Sequence, residues 1–181
     1  MSKRTGIYLS SMLASCVLGF ALCNYIGAQQ APSQEIIGRI EYIALEDYNM
    51  RFKSRIDTGA GVSSINAKII TITPAAKAGE SEKITYEITD SFNRTKTITN
   101  DIVEWARIKK KGSHGYIKRP VVKMNILLGG EPIEARVNLA DRSRFLYPFL
   151  VGRNVIKAGG FLVDPEKSFL KHSRKNQKRY M

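Results

Sequence analysis

The stretch "RIDTGAGVSS", Arg55 to Ser64, decides the fold. It sets an aspartate, a hydroxyl residue, a glycine and an alanine in a row. Before it, "MRFKSRID" alternates Met50, Phe52, Ser54 and Ile56 against Arg51, Lys53, Arg55 and Asp57, the period of a half-buried strand. After it, small residues lead into "AKIITITP", a β-branched run. Taken alone, Asp57-Thr58-Gly59 is a weak signal. The same triplet makes an ordinary turn, in which Asp accepts backbone hydrogen bonds and Gly takes a positive φ. The surroundings have to decide.

Working outward, β patterns dominate. "IIGRIEYIALE" precedes the stretch and is rich in isoleucine. "KITYEIT" and "TKTITND" flank "DSFNR", a hairpin with a polar turn. "VEWARIKK", "GSHG" and "YIKRPVVKMNILL" read as a second hairpin, and "LGGEP" is a tight turn before "IEARVNLAD". "YPFLVGRNVI" and "GGFLVDPEKSFL" follow, and only "GRNVIKAG" has room for a short helix. Many short strands with Gly, Asn and Pro turns predict an all-β barrel or sandwich with one short helix near the C-terminus.

The 181 residues are 43% hydrophobic and 25% charged, enough to bury one core. The formal net charge of +13 suits an acidic partner, or serves solubility alone. Neither zinc-finger spacing nor an aromatic RNA-binding motif is present, so no nucleic-acid partner is expected.

The first segment differs from the rest. Lys3 and Arg4 precede a largely apolar run from Gly6 to Ala28, and a polar stretch follows. This is the layout of a secretory signal with Ala28 at the cut. The run is also long enough for an uncleaved membrane anchor. "LASC", Leu13 to Cys16, resembles a lipoprotein box, although the apolar run continues well past Cys16. All three readings export the body, to the periplasm or cell envelope. The expected division is 1–28 signal peptide or anchor, 29–35 polar linker, 36–170 folded domain and 171–181 basic disordered tail. Both cysteines, Cys16 and Cys23, lie in the first segment, so the body has no disulfide framework and no thiol chemistry. Losing residues 1–28 removes Lys3 and Arg4 and no acid, which takes the net charge from +13 to +11.

Far downstream of Asp57 stands "FLVGRN", with Gly152 and Arg153 after an apolar run. Asp-Thr-Gly-Ala after a strand, with apolar-apolar-Gly-Arg-Asn later, resembles the retropepsin-like aspartic proteases. The chain is more closely similar to a bacterial family also called ATP-dependent zinc proteases and grouped with retropepsin-like aspartic endopeptidases. The resemblance covers about Ile37 to Leu170. It rests on "RIDTGAGVSSINA", "RPVVKMNILLGGEPIEARVNLADRSRFLYPFLVGRNVI" and "GGFLVDPEKSFL".

The resemblance implies an all-β, closed retropepsin-like barrel, and with it a role for each site residue. Asp57 would be the catalytic carboxylate. Thr58 would hydrogen-bond within paired active-site loops, Gly59 would let the backbone pass close to the carboxylates, and Ala60 would fill the space behind. Gly152 would let the strand Phe149 to Val151 lie against the catalytic loop. The hairpin around Gly112 to Gly115 is the candidate flap. The chemistry needs two carboxylates sharing a proton, and one chain has one such motif. The resemblance therefore implies a two-fold homodimer with an Asp57 from each subunit at the axis. One departure stands out: Gly61 sits where retroviral proteases place the acid that pairs with the arginine of "GRN". For a structural ion pair of Arg153, Asp141 and Asp164 are then the candidate partners.

Zinc and ATP find no residues to hold them. The chain has His114 and His172 as its histidines, no HExxH, no cysteine in the body and no Walker-type loop. No cofactor or metal is expected. The remaining features have plain readings. Trp105 is a packing residue on a hairpin, "ADRSRF" a turn with an ion pair, and Lys109 to Lys111 a solvated hairpin end. The expected function is an exported aspartic endopeptidase acting on a peptide or protein substrate as a homodimer, at the membrane only if the first segment stays attached. The alternative is a non-catalytic binding or regulatory module of the cell envelope on the same fold.

Overall fold

A computed structural model of the chain describes residues 34–109 and 115–171. Residues 1–33, 110–114 and 172–181 lie outside the description. With them lie the expected export segment, both cysteines and both histidines, most of the expected flap tip, and all of the expected tail but Lys171.

The fold is all-β, as the short alternating runs predict. Its strands are β1 (Ile36–Gly38), β2 (Ile40–Leu45), β3 (Met50–Ile56), β4 (Ser63–Asn66), β5 (Lys68–Thr73) and β6 (Lys83–Thr89). They continue as β7 (Thr95–Asp101), β8 (Glu104–Lys109), β9 (Tyr116–Leu128), β10 (Glu131–Ala140), β11 (Phe149–Val151) and β12 (Leu162–Asp164). Among the described residues one α-helix forms, α1 (Arg153–Ala158), and it occupies "RNVIKA" as expected.

Three sheets form. In the largest, the order β10-β4-β11-β3-β2-β9-β8 closes on itself because β9 also pairs with β10. Six strands thus make a ring, with β8 hanging from β9. β5, β6 and β7 form an antiparallel sheet, and β1 pairs in parallel with β12. One continuous core unites them: Phe52 and Phe149 from the ring, Ile84, Tyr86 and Ile88 from β6, and Ile37 from β1 all bury into it. The alternation of β3 is realised in its second half: Met50, Phe52, Ser54 and Ile56 are buried, Lys53 is half-buried and Arg55 exposed, but Arg51 is buried too. β5 departs from its β-branched composition. All six of its residues are exposed, because it is the edge of its sheet and its isoleucines have no layer to cover them.

The C-terminal segment is stapled to the start of the domain. Buried Glu41 accepts the N–H groups of Gly38 (2.7 Å), Leu170 (2.9 Å) and Lys171 (3.3 Å). The Lys171 ammonium adds an ion pair to Glu35 at 3.0 Å. A buried carboxylate is tolerated there because backbone donors surround it.

Candidate active site

The site is built by parallel pairing. β11 runs parallel to β3 with Val151 opposite Ile56, so Asp57 and Gly152 leave the sheet side by side at the same end. β4 runs antiparallel to β11, with Ser64 opposite Leu150, and starts at that end too. The Asp57 loop and the Gly152 loop therefore meet by topology.

Within the loop, Asp57 is half-buried and holds its own turn. The N–H of Gly59 donates to its Oδ1 at 2.9 Å and the N–H of Ala60 at 3.2 Å. Its own N–H donates to the Val151 carbonyl at 2.9 Å, continuing the ladder between the parallel strands. Both expected glycine roles have a measure. A Cβ on Gly59 would sit 3.1 Å from Asp57 Oδ1, and a Cβ on Gly152 would meet the Val62 carbonyl carbon at 2.8 Å. The Gly152 contact is backbone against backbone, which cannot yield easily. Ala60 is half-buried and its carbonyl accepts the Arg153 N–H at 2.8 Å; Thr58 is exposed.

Arg153 corrects its expected ion pair. Its Nη1 donates to the carbonyls of Thr58 and Gly59, each at 2.9 Å, and it pairs with no acid among the described residues. Asp141 instead accepts the N–H and hydroxyl of Ser143, and Asp164 binds Lys167. The reason is local. Gly61 offers no carboxylate, so the guanidinium turns to the carbonyls that the Asp57 turn leaves unpaired. Its Nη2 lies 3.7 Å from where a Gly61 Cβ would stand.

Two positions not singled out in the sequence complete the brace. Ser63 Oγ accepts the Gly152 N–H at 3.0 Å and donates to Asn154 Oδ1 at 2.9 Å. Asn154 then donates to the Arg136 carbonyl at 2.8 Å. The asparagine stood in the quoted "GRN", but Ser63 carries no signal without knowing that β4 begins beside Gly152.

Two other readings are corrected. Trp105, expected as a packing residue on a hairpin, does lie on the β8–β9 hairpin, but it is 36% exposed and donates through Nε1 to Glu82 at 2.8 Å, so a surface hydrogen bond holds it. In "ADRSRF", Asp141 caps its own turn, so no ion pair forms there. Arg142 is instead buried, 9% exposed, with its guanidinium carbon 4.6 Å from the centre of the Phe145 ring. Its backbone N–H donates to Asn66 Oδ1 at 2.6 Å, which holds the loop 141–148 to the end of β4. Burial pulls this guanidinium below its ordinary value, the positive Arg119 of β9 pulls the same way, and the negative Asp57 pushes back. The same loop supplies Tyr147 to a cavity of about 340 Å³, which Arg39, Arg55, Ile56 and Thr58 also line.

Residues 36–174 match the family described as RimB-like, the retropepsin-like aspartic endopeptidase RimB. Two curated Shewanella proteins, each named probable alpha-L-glutamate ligase, are similar. The one from S. halifaxensis is 34% identical over 139 residues and the one from S. pealeana 33% over 138. Each match takes in 74% of this chain but 29% of the relative's length. A crystal structure of a Legionella pneumophila protein of unknown function matches with a TM-score of 0.64 at 32% identity. The match covers 77% of this chain and 100% of that one.

Proposed function

The chain belongs to the RimB-like family of retropepsin-like aspartic endopeptidases, and from that premise we propose that it is an exported aspartic endopeptidase that works as a homodimer. One observation carries the reading. Asp57 stands at the mouth of two parallel strands, its carboxyl oriented by two N–H donors and its loop held by Arg153.

In the proposed dimer two Asp57 carboxyl groups share one proton, since neighbouring like charges cannot both ionise cheaply. The ionised one takes a proton from water, and the hydroxide equivalent attacks the peptide carbonyl carbon. The protonated one donates to the carbonyl oxygen. Collapse breaks the C–N bond, with a proton passing to the leaving amine. Thr58, exposed beside Asp57, would hydrogen-bond across the axis of that dimer.

The relatives' name adds a substrate class. They are called glutamate ligases, so we take a peptide carrying glutamate as the substrate, and the net charge of +13 favours an acidic chain. The same name also favours a second reading, a non-catalytic module that binds such a chain. Full-length protein and Asp57→Asn, incubated with a peptide library from pH 4 to 7, separate the two. The endopeptidase reading expects cleavage by the wild type and none by the variant. Equal cleavage, or none by either, sinks it. Export is checked by fusing residues 1–35 to a reporter active only outside the cytoplasm; a silent reporter rejects it.

A further inference from the structure

The cavity of about 340 Å³ lies at the reacting end of the domain, since Ile56 and Thr58, the residues on either side of Asp57, both line it. Strand register assembles its walls. Arg55 of β3 stands opposite Ile40 of β2 on one side and Leu150 of β11 on the other. Arg39 is held there because its carbonyl accepts the Ile56 N–H at 2.9 Å. Tyr147 arrives from the loop before β11, and Val163 from β12. The wall thus holds two arginines and no acid. Asp164, next to Val163, is paired with Lys167 at 3.2 Å. Both arginines are exposed, and neither is paired with an acid among the described residues. The Arg55 guanidinium meets no acceptor there, and Arg39 makes one side-chain bond, from Nε to the Ser168 hydroxyl at 3.4 Å. Lys53, two residues before Arg55 on β3, sets its ammonium 5.8 Å from the centre of the Tyr147 ring and adds a third positive charge to that side. A cleft lined by one sign of charge concentrates the opposite sign. Ile40, Ile56 and Val163 supply apolar surface beside the cations. Methylene groups pack on such surface, while a carboxylate takes two donors from a guanidinium fork.

We propose that this cavity is the pocket for a substrate carboxylate, and that Arg55 and Arg39 are the residues that select for it. Arg55 is the principal contact because its guanidinium has no other partner and its strand leads directly into Asp57. Arg39 adds the second fork. The place of the pocket in a reaction rests on the endopeptidase reading, but its binding does not. The carboxylate can belong to an acidic side chain or to the end of the peptide.

The test therefore measures binding in full-length Asp57→Asn, where nothing is cleaved. The probes are short fluorescent alanine-based peptides: one with a central glutamate and an amidated end, its glutamine counterpart, and one with a free terminal carboxylate. The glutamate peptide or the free-acid peptide should bind more tightly than the glutamine peptide, and whichever does identifies the source. Adding Arg55→Gln should weaken that acid-dependent binding by about five- to tenfold, between the values for an exposed and a buried ion pair, and leave the glutamine peptide unchanged. Arg39→Gln should lower it to a smaller extent, and it decides the matter if Arg55→Gln fails to fold. Lys96→Gln removes an exposed charge on β7, outside the cavity, and should leave the preference intact. No preference for either acid, or a loss from Lys96→Gln equal to that from the arginine variants, overturns the inference, because the net charge alone would then explain the binding. Acid-dependent binding by a wild type that cleaves nothing upholds the pocket and removes the endopeptidase reading. Cleavage by the wild type without any acid preference does the reverse.

Discussion

At Gly152 the absent side chain is what joins two motifs distant in sequence. A Cβ there would press on the backbone at Val62 and Ser63, at 2.8 and 3.0 Å. Neither can move without pulling β4 from β11. Gly152→Ala should therefore cost about 1–3 kcal/mol, the range for overpacking a close contact. Chemical denaturation would measure it, and a loss under half a kcal/mol would mean that the loops are not locked together there. Arg153 is bound to the same loop from the other side, through carbonyls instead of a carboxylate. The "GRN" arginine thus serves the Asp57 turn although Gly61 offers it no acid.

Between elements, the β6–β7 hairpin depends on one carboxylate to hold its turn and to dock it. Asp90 accepts the N–H groups of Phe92 and Arg94 at Oδ1, each at 2.9 Å. Its Oδ2 accepts two guanidinium donors from Arg94, at 2.8 and 2.6 Å, and the Arg51 N–H of β3 at 3.4 Å. Burial pushes this carboxyl up, but the Arg94 bonds and the three N–H donors outweigh it and hold it below its ordinary value. A carboxyl with a depressed folded value adds stability that is full above its unfolded value, near 3.8, and is lost as pH falls through the folded value. Asp90→Asn should accordingly lower stability by about 1–3 kcal/mol at pH 7, and the gap to wild type should close in strong acid. Parallel melting curves from pH 7 down to pH 2 check this; a gap that widens with acid refutes it. The "DSFNR" turn was legible because polar turn residues between alternating runs have a local cause. The docking of that turn onto β3 was not, since Arg51 lies far from it in sequence.

For the whole molecule, the dimer is the proposal with the sharpest consequence. β1 and β12 set Ile36 opposite Leu162, 49% and 48% exposed, an apolar pair that a second copy could cover. If each site needs an Asp57 from both chains, mixed dimers of wild type and Asp57→Asn are inactive. Excess variant should then depress wild-type cleavage beyond dilution, with tagged chains used to verify subunit exchange. Wild-type cleavage that falls only by dilution, after proven exchange, would place the whole reaction within one chain.

The sequence by itself determined the all-β class, the two hairpins and the short helix in "RNVIKA", and it singled out Asp57 and Gly152, whose loops the fold brings together. These follow from local causes: side-chain period, turn residues and motif composition act over a few neighbours. Only the tertiary structure decided what Arg153 holds, why Ser63 matters, that Trp105 stays at the surface, and that Arg142 is buried without an acid. Each depends on which strands lie side by side. Arg142 and Trp105 could be assigned to a turn and a hairpin from sequence, but burial is a property of the closed ring. Likewise β5 has the composition of an inner strand, yet lies exposed because nothing packs over the edge of its sheet.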